Sequence, residues 1–311
     1  MCDTHNQTCR SKSYSANQEQ NERGLLPIEV IERTVSETSK YGLNEIIPST
    51  MGEPLLYPEF DRILEIIKQN EIKLNLTTNG TFPKHGAEGW ADRLLPVLSD
   101  IKISMNGATV ETAEKIMSGL NFNKQQDNVR KFIKKRDQYH SQGYDPTVTM
   151  QVTYMRTNLD ELPMMLNQAI EMGFDRFKGH HVWITNEAME KETLRTDEWI
   201  DSWNDTVEEL HKIANGNIIL ANVNKIRPGE VVNEDSICPF LGKEAWIESN
   251  GDFQVCCCPD SERSEFGDFG NTIQTNFMDI WNSKKYRDFV KNWGDYGPCK
   301  HCNMRIGGGQ R

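Results

Sequence analysis

The sequence predicts an α/β fold: a partial (β/α)6 TIM-like barrel lacking its first strand, followed by a small cysteine-rich C-terminal domain. Three observations carry this. Apolar or β-branched runs alternate with helical patterns from Leu25 to Trp183, and strands separated by helices build parallel sheets. Polar turns at Gly52, Thr78 and Ser104 lie 26 residues apart, the length of one strand-helix unit. The eight cysteines are placed lopsidedly, with Cys2 and Cys9 followed by none until Cys238, Cys256, Cys257, Cys258, Cys299 and Cys302.

The elements follow in order. Ile28, Ile31 and Val35 fall at helical spacing ahead of Gly42, and residues 44–49 read as a short strand. Phe60, Ile63, Leu64 and Ile67 form the apolar stripe of the next helix, and residues 72–77 form a strand ending in Thr78-Asn79-Gly80. A helix is expected over 86–98, and a third strand, 100–105, ends in Asn106-Gly107. Val129, Phe132 and Ile133 mark a long helix stopped at Gly143, before a β-branched strand over 147–155. Asn158 with Glu161 resembles a capping box for the helix that ends at Gly173, and residues 174–183 form the fifth strand. An amphipathic helix over 196–214, a short strand and an irregular stretch over 225–237 lead to a hairpin with Asn250-Gly251 at its tip. One further helix is expected over 276–290, and the glycine-rich tail is expected to be disordered.

Composition narrows the function. A net charge of -11 leaves no excess of positive charge for phosphates, which argues against nucleic acid or anionic membranes as partners. No run approaches the roughly 18 apolar residues of a membrane span, and the first 24 residues contain no apolar signal segment. A cytoplasmic protein is expected. In a reducing compartment, clustered cysteines point to metal rather than to disulfides. Four of them suffice for a closed iron-sulfur cluster or for a structural zinc site.

Taken singly, the motifs have bland readings. Gly52-Glu53-Pro54 is a turn, Arg156 a solvated loop arginine, and one of His180 and His181 a hydrogen-bonded core histidine, the other pointing into the barrel by alternation.

Together, the Ser49–Pro58 stretch with its Gly-Glu-Pro, the Thr-Thr-Asn-Gly turn, the Ile-Ser-Met-Asn-Gly strand end and the C-terminal cysteine array resemble the radical S-adenosylmethionine (SAM) superfamily, in particular members with a SPASM or twitch domain. The resemblance implies a barrel over 1–185, a helix, strand and linker over 186–237, an auxiliary-cluster domain over 238–305 and a tail over 306–311. It implies that Gly52, Glu53 and Pro54 receive the amino group of SAM, and that Thr78, Asn79 and Ser104 line its ribose and carboxylate side. Arg156 is a candidate partner of the SAM carboxylate. Asn106 stands where the family often has aspartate. Cys238, Cys256, Cys299 and Cys302 would hold one auxiliary [4Fe-4S] cluster, with Cys257 or Cys258 as substitutes for Cys256.

The family's CxxxCxxC motif, whose three thiolates hold the SAM-binding [4Fe-4S] cluster, is incomplete here. Met1-Cys2-Asp3 resembles its end, and Cys2 lies 50 residues before Gly52. The favoured expectation is that the sequence begins inside the motif; the competing one makes Cys2, His5 and Cys9 improvised ligands or solvated residues. The implied activity is that of an oxidoreductase. An electron from a donor such as flavodoxin or ferredoxin cleaves SAM, and the 5′-deoxyadenosyl radical abstracts hydrogen from a small-molecule or peptide substrate. The competing functions are a catalytically inactive fold carrying only the auxiliary cluster, and a zinc-stapled interaction module.

Overall fold

A computed structural model describes residues 25–48, 52–184, 187–227, 237–258, 260–300, 302 and 305. Cys2, His5, Cys9, Ser49, Thr50, Met51, His301 and the 306–311 tail lie outside the described residues. The described chain divides into two compact units. One holds residues 44–227, the other residues 25–43 together with 237–305.

The first unit is built on a six-stranded parallel sheet: β1 (Glu45–Ile46), β2 (Lys73–Thr78), β3 (Leu98–Ser104), β4 (Thr147–Tyr154), β5 (Arg176–His181) and β6 (Ile219–Ala221). The strands lie side by side in sequence order. Sequential order combined with right-handed crossovers places every connecting helix on one face, which is how a barrel wall is laid down. The α/β partial barrel expected from the sequence is therefore present. Its strands begin earlier than periodicity alone suggests in one case. The expected helix over 86–98 stops at Leu94, and β3 already starts at Leu98, where Leu98 pairs with Leu74. Helix Val110–Ile116 is among the helices that periodicity does not predict.

The register makes the two faces of this sheet chemically different. Leu76, Ile101, Val148 and, one step along, Ile103, Met150 and Phe177 run across it as paired rows, all buried. This is the face the helices cover. Helix Phe60–Gln69 presents Phe60, Ile63, Leu64, Ile66 and Ile67 to the core, and helix Ile200–Ala214 presents Trp203, Val207 and Leu210. At Gly179 an added Cβ would stand 2.2 Å from the Tyr154 ring, so only glycine lets that ring lie flat on the strand. The opposite face carries rows of another kind: Asn75, Asp100 and Thr147; Thr77, Lys102, Thr149 and Arg176; Ser104, Gln151 and Lys178.

The expected capping pair Asn158–Glu161 is not made. Helix Leu162–Met172 begins one residue after Glu161, with Pro163 in its first turn. Asn158 instead reaches back to Met155, whose N–H it accepts at 3.0 Å. Glu161 caps a different helix, Val110–Ile116, accepting the Ala108 N–H at 2.6 Å and the Thr109 and Thr112 hydroxyls at 2.8 and 2.6 Å. The physical reason is the cluster of donors just ahead of that helix, the Ala108 and Thr109 N–H groups and two hydroxyls, which one carboxylate satisfies together while the Thr109 hydroxyl accepts the Thr112 N–H of the first turn.

The second unit is small. A hairpin of β7 (Trp246–Ile247) and β8 (Phe253–Gln254) turns at Asn250-Gly251, as expected. Its core is aromatic: Phe253, Phe266, Phe269, Tyr286 and Phe289 pack edge-on with ring centroids 5.3–6.4 Å apart. The single helix expected over 276–290 is two, Phe277–Trp281 and Lys284–Asn292. Ser283 breaks it, because its hydroxyl accepts the Tyr286 N–H and starts a new helix. Helix Ile28–Thr38, which the sequence reading placed with the barrel, groups with this unit. The Arg33 guanidinium donates to the Thr272 carbonyl, and Glu37 accepts the Met278 N–H at 3.2 Å.

Burial pushes the Glu161 carboxyl up, but its hydrogen bonds to Thr112, Thr109 and Ala108 outweigh that and hold it below the ordinary value of 4.5. A depressed folded-state pKa contributes stability that is complete above the unfolded value and lost as pH falls through the folded one. Glu161→Gln should therefore lower stability at pH 7 and flatten the acid limb of the melting-temperature profile below about pH 4.5. Scanning calorimetry across pH 3–7 checks this; an unchanged acid limb in the variant would refute the capping role.

Candidate functional site

The strand-end turns of the first unit meet around one carboxylate. Gly52, at φ 94°, turns the chain in a conformation that L side chains rarely adopt. Glu53 follows as the cap of a short helical turn started by Pro54. Its side chain is 7% exposed. It accepts the Leu55 N–H at 3.1 Å, the Thr78 hydroxyl at 2.9 and 3.0 Å, and the Asn79 N–H at 2.8 Å. The Gly-Glu-Pro turn and the Thr-Thr-Asn-Gly turn, read separately in the sequence, are thus one structure. Three donated protons face roughly four lone-pair sites on a carboxylate, which leaves room for one further donor. Burial raises the Glu53 pKa, and the bonds from Asn79, Thr78 and Leu55 only partly offset it. A cation at the remaining site would relieve that cost.

Two residues that sequence reasoning missed tie the other turns in. Gln125, 2% exposed on helix Phe122–His140, donates from Nε2 to the Asn79 carbonyl at 2.7 Å and to the Ser104 carbonyl at 3.0 Å. It locks the ends of β2 and β3 together. Asn158, fully buried, donates to the Asn106 and Thr153 carbonyls at 3.0 and 2.9 Å. Asn106 in turn accepts the Thr153 N–H at 2.8 Å. Asn106 acts only as an acceptor there, which an aspartate could equally do. Gly107 lies so close to helix Val110–Ile116 that an added Cβ would stand 2.5 Å from the Ala113 nitrogen. A polar residue at an internal position of an amphipathic helix was the available signal for Gln125; Asn158 had been read as a cap.

The remaining candidates separate. The Arg156 guanidinium lies on the 193–199 segment: it donates to the Thr193 carbonyl at 3.0 Å, pairs with Glu198 at 3.8 Å and covers the Trp199 ring at 5.0 Å. Alternation splits the histidines as expected. His180 pairs across to Thr153 on the polar face and meets the Gln151 amide at 3.2 Å. His181 lies on the helix-covered face between Tyr154 and Trp203, with ring centroids 5.6 and 4.6 Å away. Burial first, then the nearby Arg195 and His180, push its pKa down to about 3. It is a neutral core histidine, but its Nδ1 has no hydrogen-bond partner among the described residues.

In the second unit Cys238, Cys256, Cys257, Cys258, Cys299 and Cys302 form no disulfide among the described residues. Cys299 is pushed up to about 12 by burial and by charge at Cys256, Cys238 and Cys302, so these four sulfurs share one electrostatic neighbourhood. Cys256, Cys258 and Cys299 pack against the aromatic core. The Cys257 and Cys258 thiols hydrogen-bond to Cys256 and hold its pKa down. Among the described residues, no three His, Cys, Asp or Glu side chains are drawn together to metal-ligand geometry. The donor set nonetheless fits an iron-sulfur cluster chemically, because four neighbouring thiols can all ionise only around a cationic partner.

A parallel strand-helix barrel with its polar turns at the strand C-terminal ends, joined to a four-thiol unit, defines a cofactor-dependent enzyme class. The model of the radical SAM superfamily matches residues 2–185 and that of the SPASM iron-sulfur cluster-binding domain matches residues 238–303, and the chain belongs to the radical SAM superfamily. Its cofactors are accordingly a [4Fe-4S] cluster and SAM, with auxiliary iron-sulfur in the SPASM region. The chain is 22% identical to the tungsten-containing aldehyde ferredoxin oxidoreductase cofactor-modifying protein of Pyrococcus furiosus, over 92% of this chain and 81% of that one. Streptococcus suis SuiB bound to S-adenosylmethionine superposes with a TM-score of 0.65 at 17% identity, over 91% of this chain and 66% of that one. The enzyme anSMEcpe with bound AdoMet gives 0.61 at 17% identity, over 90% and 81%. These structural likenesses establish the fold. No helix among the described residues is long and apolar enough to cross a membrane.

Replacing Gln125 by leucine keeps the volume but removes the donor shared by two strand ends. A loss of about 1–3 kcal/mol is expected, the cost of leaving buried acceptors unpaired. Urea denaturation measures it, and a variant as stable as the parent would show that water serves those carbonyls instead.

Proposed function

We propose that this chain cleaves SAM reductively and uses the resulting 5′-deoxyadenosyl radical to take hydrogen from a peptide, protein or sugar-type substrate. The observation that carries the reading is the Glu53 carboxylate, buried, fixed by three donors and left with one open acceptor site where the strand ends converge. The methionine ammonium of SAM has the charge and the protons to fill it. Gly52 and Pro54 shape the turn that presents Glu53, and Thr78, Asn79 and Ser104 stand beside it on the ribose and carboxylate side. Arg156 would have to leave the Thr193 carbonyl and Glu198 to pair with the SAM carboxylate.

Cys2 is proposed as a ligand of the SAM-binding cluster, and Cys238, Cys256, Cys299 and Cys302 as the ligands of one auxiliary [4Fe-4S] cluster. When bound, the first cluster supplies the electron that breaks the SAM carbon-sulfur bond, drawn from a donor such as flavodoxin or ferredoxin. The protein's own part is to hold the ammonium, orient the substrate and exclude water. A peptide substrate is supported by the SuiB structure bound to the precursor peptide SuiA, at a TM-score of 0.64, and modification of a cofactor by the name of the Pyrococcus furiosus relative.

After anaerobic reconstitution with iron and sulfide, dithionite and SAM should yield 5′-deoxyadenosine and methionine, followed by mass spectrometry. Glu53→Gln should reduce the yield about tenfold or more, through the loss of one charge-assisted hydrogen bond. No 5′-deoxyadenosine from the reconstituted chain would sink the proposed activity.

The ligand choice is tested separately by iron content. Cys256→Ala should lose about four iron atoms per chain, the content of one cluster. Cys257→Ala should keep them. The reverse pattern would move the ligand role to Cys257.

A further inference from the structure

The interior of a closed parallel barrel is packed with branched apolar side chains. The uncovered face of this sheet is not. Lys102 and Arg176 stand in one cross-strand row on either side of Thr149, and Lys178 stands in the next row, level with Ser104. Strands about 4.8 Å apart put Lys178 two strands, about 10 Å, from Ser104.

The acidic groups on this face do not balance these cations. Asp100, 7% exposed, accepts the Thr147 and Thr149 hydroxyls at 2.8 Å each and faces both Lys102 at 3.6 Å and Arg176 at 3.7 Å. Glu45 is held by the Asn75 amide at 3.0 Å and by the Ser99 hydroxyl. Lys178 has no ion pair or hydrogen bond among the described residues; Lys102, which also donates to the Asn75 amide oxygen, is pushed down by burial first, pushed up by Asp100 and pushed down again by the Lys178 charge. A structural ion-pair network would not need Lys178, and repulsion between two lysines on a partly buried face costs stability unless something anionic sits between them.

We propose that Lys102, Arg176 and Lys178 form an anion subsite on the inner face of the sheet that anchors a carboxylate or phosphate group of the substrate. The inference rests on the reading of this sheet as a radical SAM barrel and adds its substrate class. From a position level with Ser104, the anchored group would hold the rest of the substrate at the strand ends, next to the place proposed for SAM. His180, one row further along and adjacent to Gln151, would border the anchored group.

The test uses the full chain in low-salt buffer and isothermal titration with three probes: succinate, inorganic phosphate and the uncharged succinamide. Saturable binding of succinate or phosphate and none of succinamide is expected, and the stronger of the two anions tells carboxylate from phosphate. Lys178→Met should weaken that binding about tenfold or more. Lys178→Arg should restore most of it, with the melting temperatures of both variants near the parent value. Absence of saturable anion binding by the parent protein, or binding indifferent to Lys178→Met, would overturn the subsite. So would full displacement of the anion by SAM, which would assign these cations to the SAM carboxylate. The outcome is independent of radical chemistry: anion binding that persists in a chain producing no 5′-deoxyadenosine would leave the subsite standing and reject only the activity.

Discussion

The site in the first unit depends on burying one carboxylate. Glu53 leaves water at a cost, and the structure answers with three donors from two turns: the Leu55 N–H of its own turn, and the Thr78 hydroxyl and Asn79 N–H of the next. Because β1 has only two residues, its ladder to β2 is short. Glu45 ties β1 itself to Asn75 and Ser99, and the Glu53 carboxylate ties the turn that follows to the end of β2. Gln125 continues the same arrangement to β3, and Asn106 with Asn158 to β4. Four strand ends are joined by side-chain amides and one carboxylate. In such a network each member is over-determined, which is what a ligand site must be if it is not to rearrange when its ligand leaves.

A second constraint follows from strand order. With all crossovers of one hand, the helices cover one face and leave the other to itself. Apolar rows such as Leu76, Ile101 and Val148 go under the helices, and charged rows such as Lys102 and Arg176 go opposite. Among the described residues β1 and β6 share no ladder, so the sheet stays open and its inner face can stay polar. Here the inward rows are occupied by lysine, arginine, threonine and amides rather than by valine and isoleucine.

The fold was largely legible because helical and strand periodicities are strong where one face is buried, as in helix Phe60–Gln69 and in β4. What escaped were features set by competition between local signals. Ser283 splits one apolar-periodic stretch into two helices, and Glu161 caps a helix some fifty positions earlier in the sequence rather than its own. The strand-end turns were legible as motifs, and their joining through Glu53 follows from their spacing at one strand-helix unit. The roles of Gln125 and Asn158 were not: a polar residue inside an amphipathic helix marks Gln125 without naming its partners, and Asn158 reads locally as a helix cap. The grouping of helix Ile28–Thr38 with the C-terminal unit was also invisible. It rests on Arg33 meeting the Thr272 carbonyl and Glu37 meeting the Met278 N–H, contacts about 240 positions apart.

The second unit poses its own physical problem, and its solution points the same way as the first. Its core is a handful of aromatic rings, and its sheet is a hairpin with two residues in each strand. A unit of this size buries too little apolar surface to be robust, and small domains meet that deficit with disulfides or metal. Its six cysteines form no disulfide among the described residues, and burial first, then Cys256, Cys238 and Cys302, raise the pKa of Cys299. Thiols that oppose one another's ionisation destabilise the unit as thiolates and stabilise it strongly once a cationic cluster takes their charge. The same logic governs Glu53 in the first unit: in both places the fold gathers groups whose ionised form is disfavoured, by burial first in each case, and a nearby cation would favour that form.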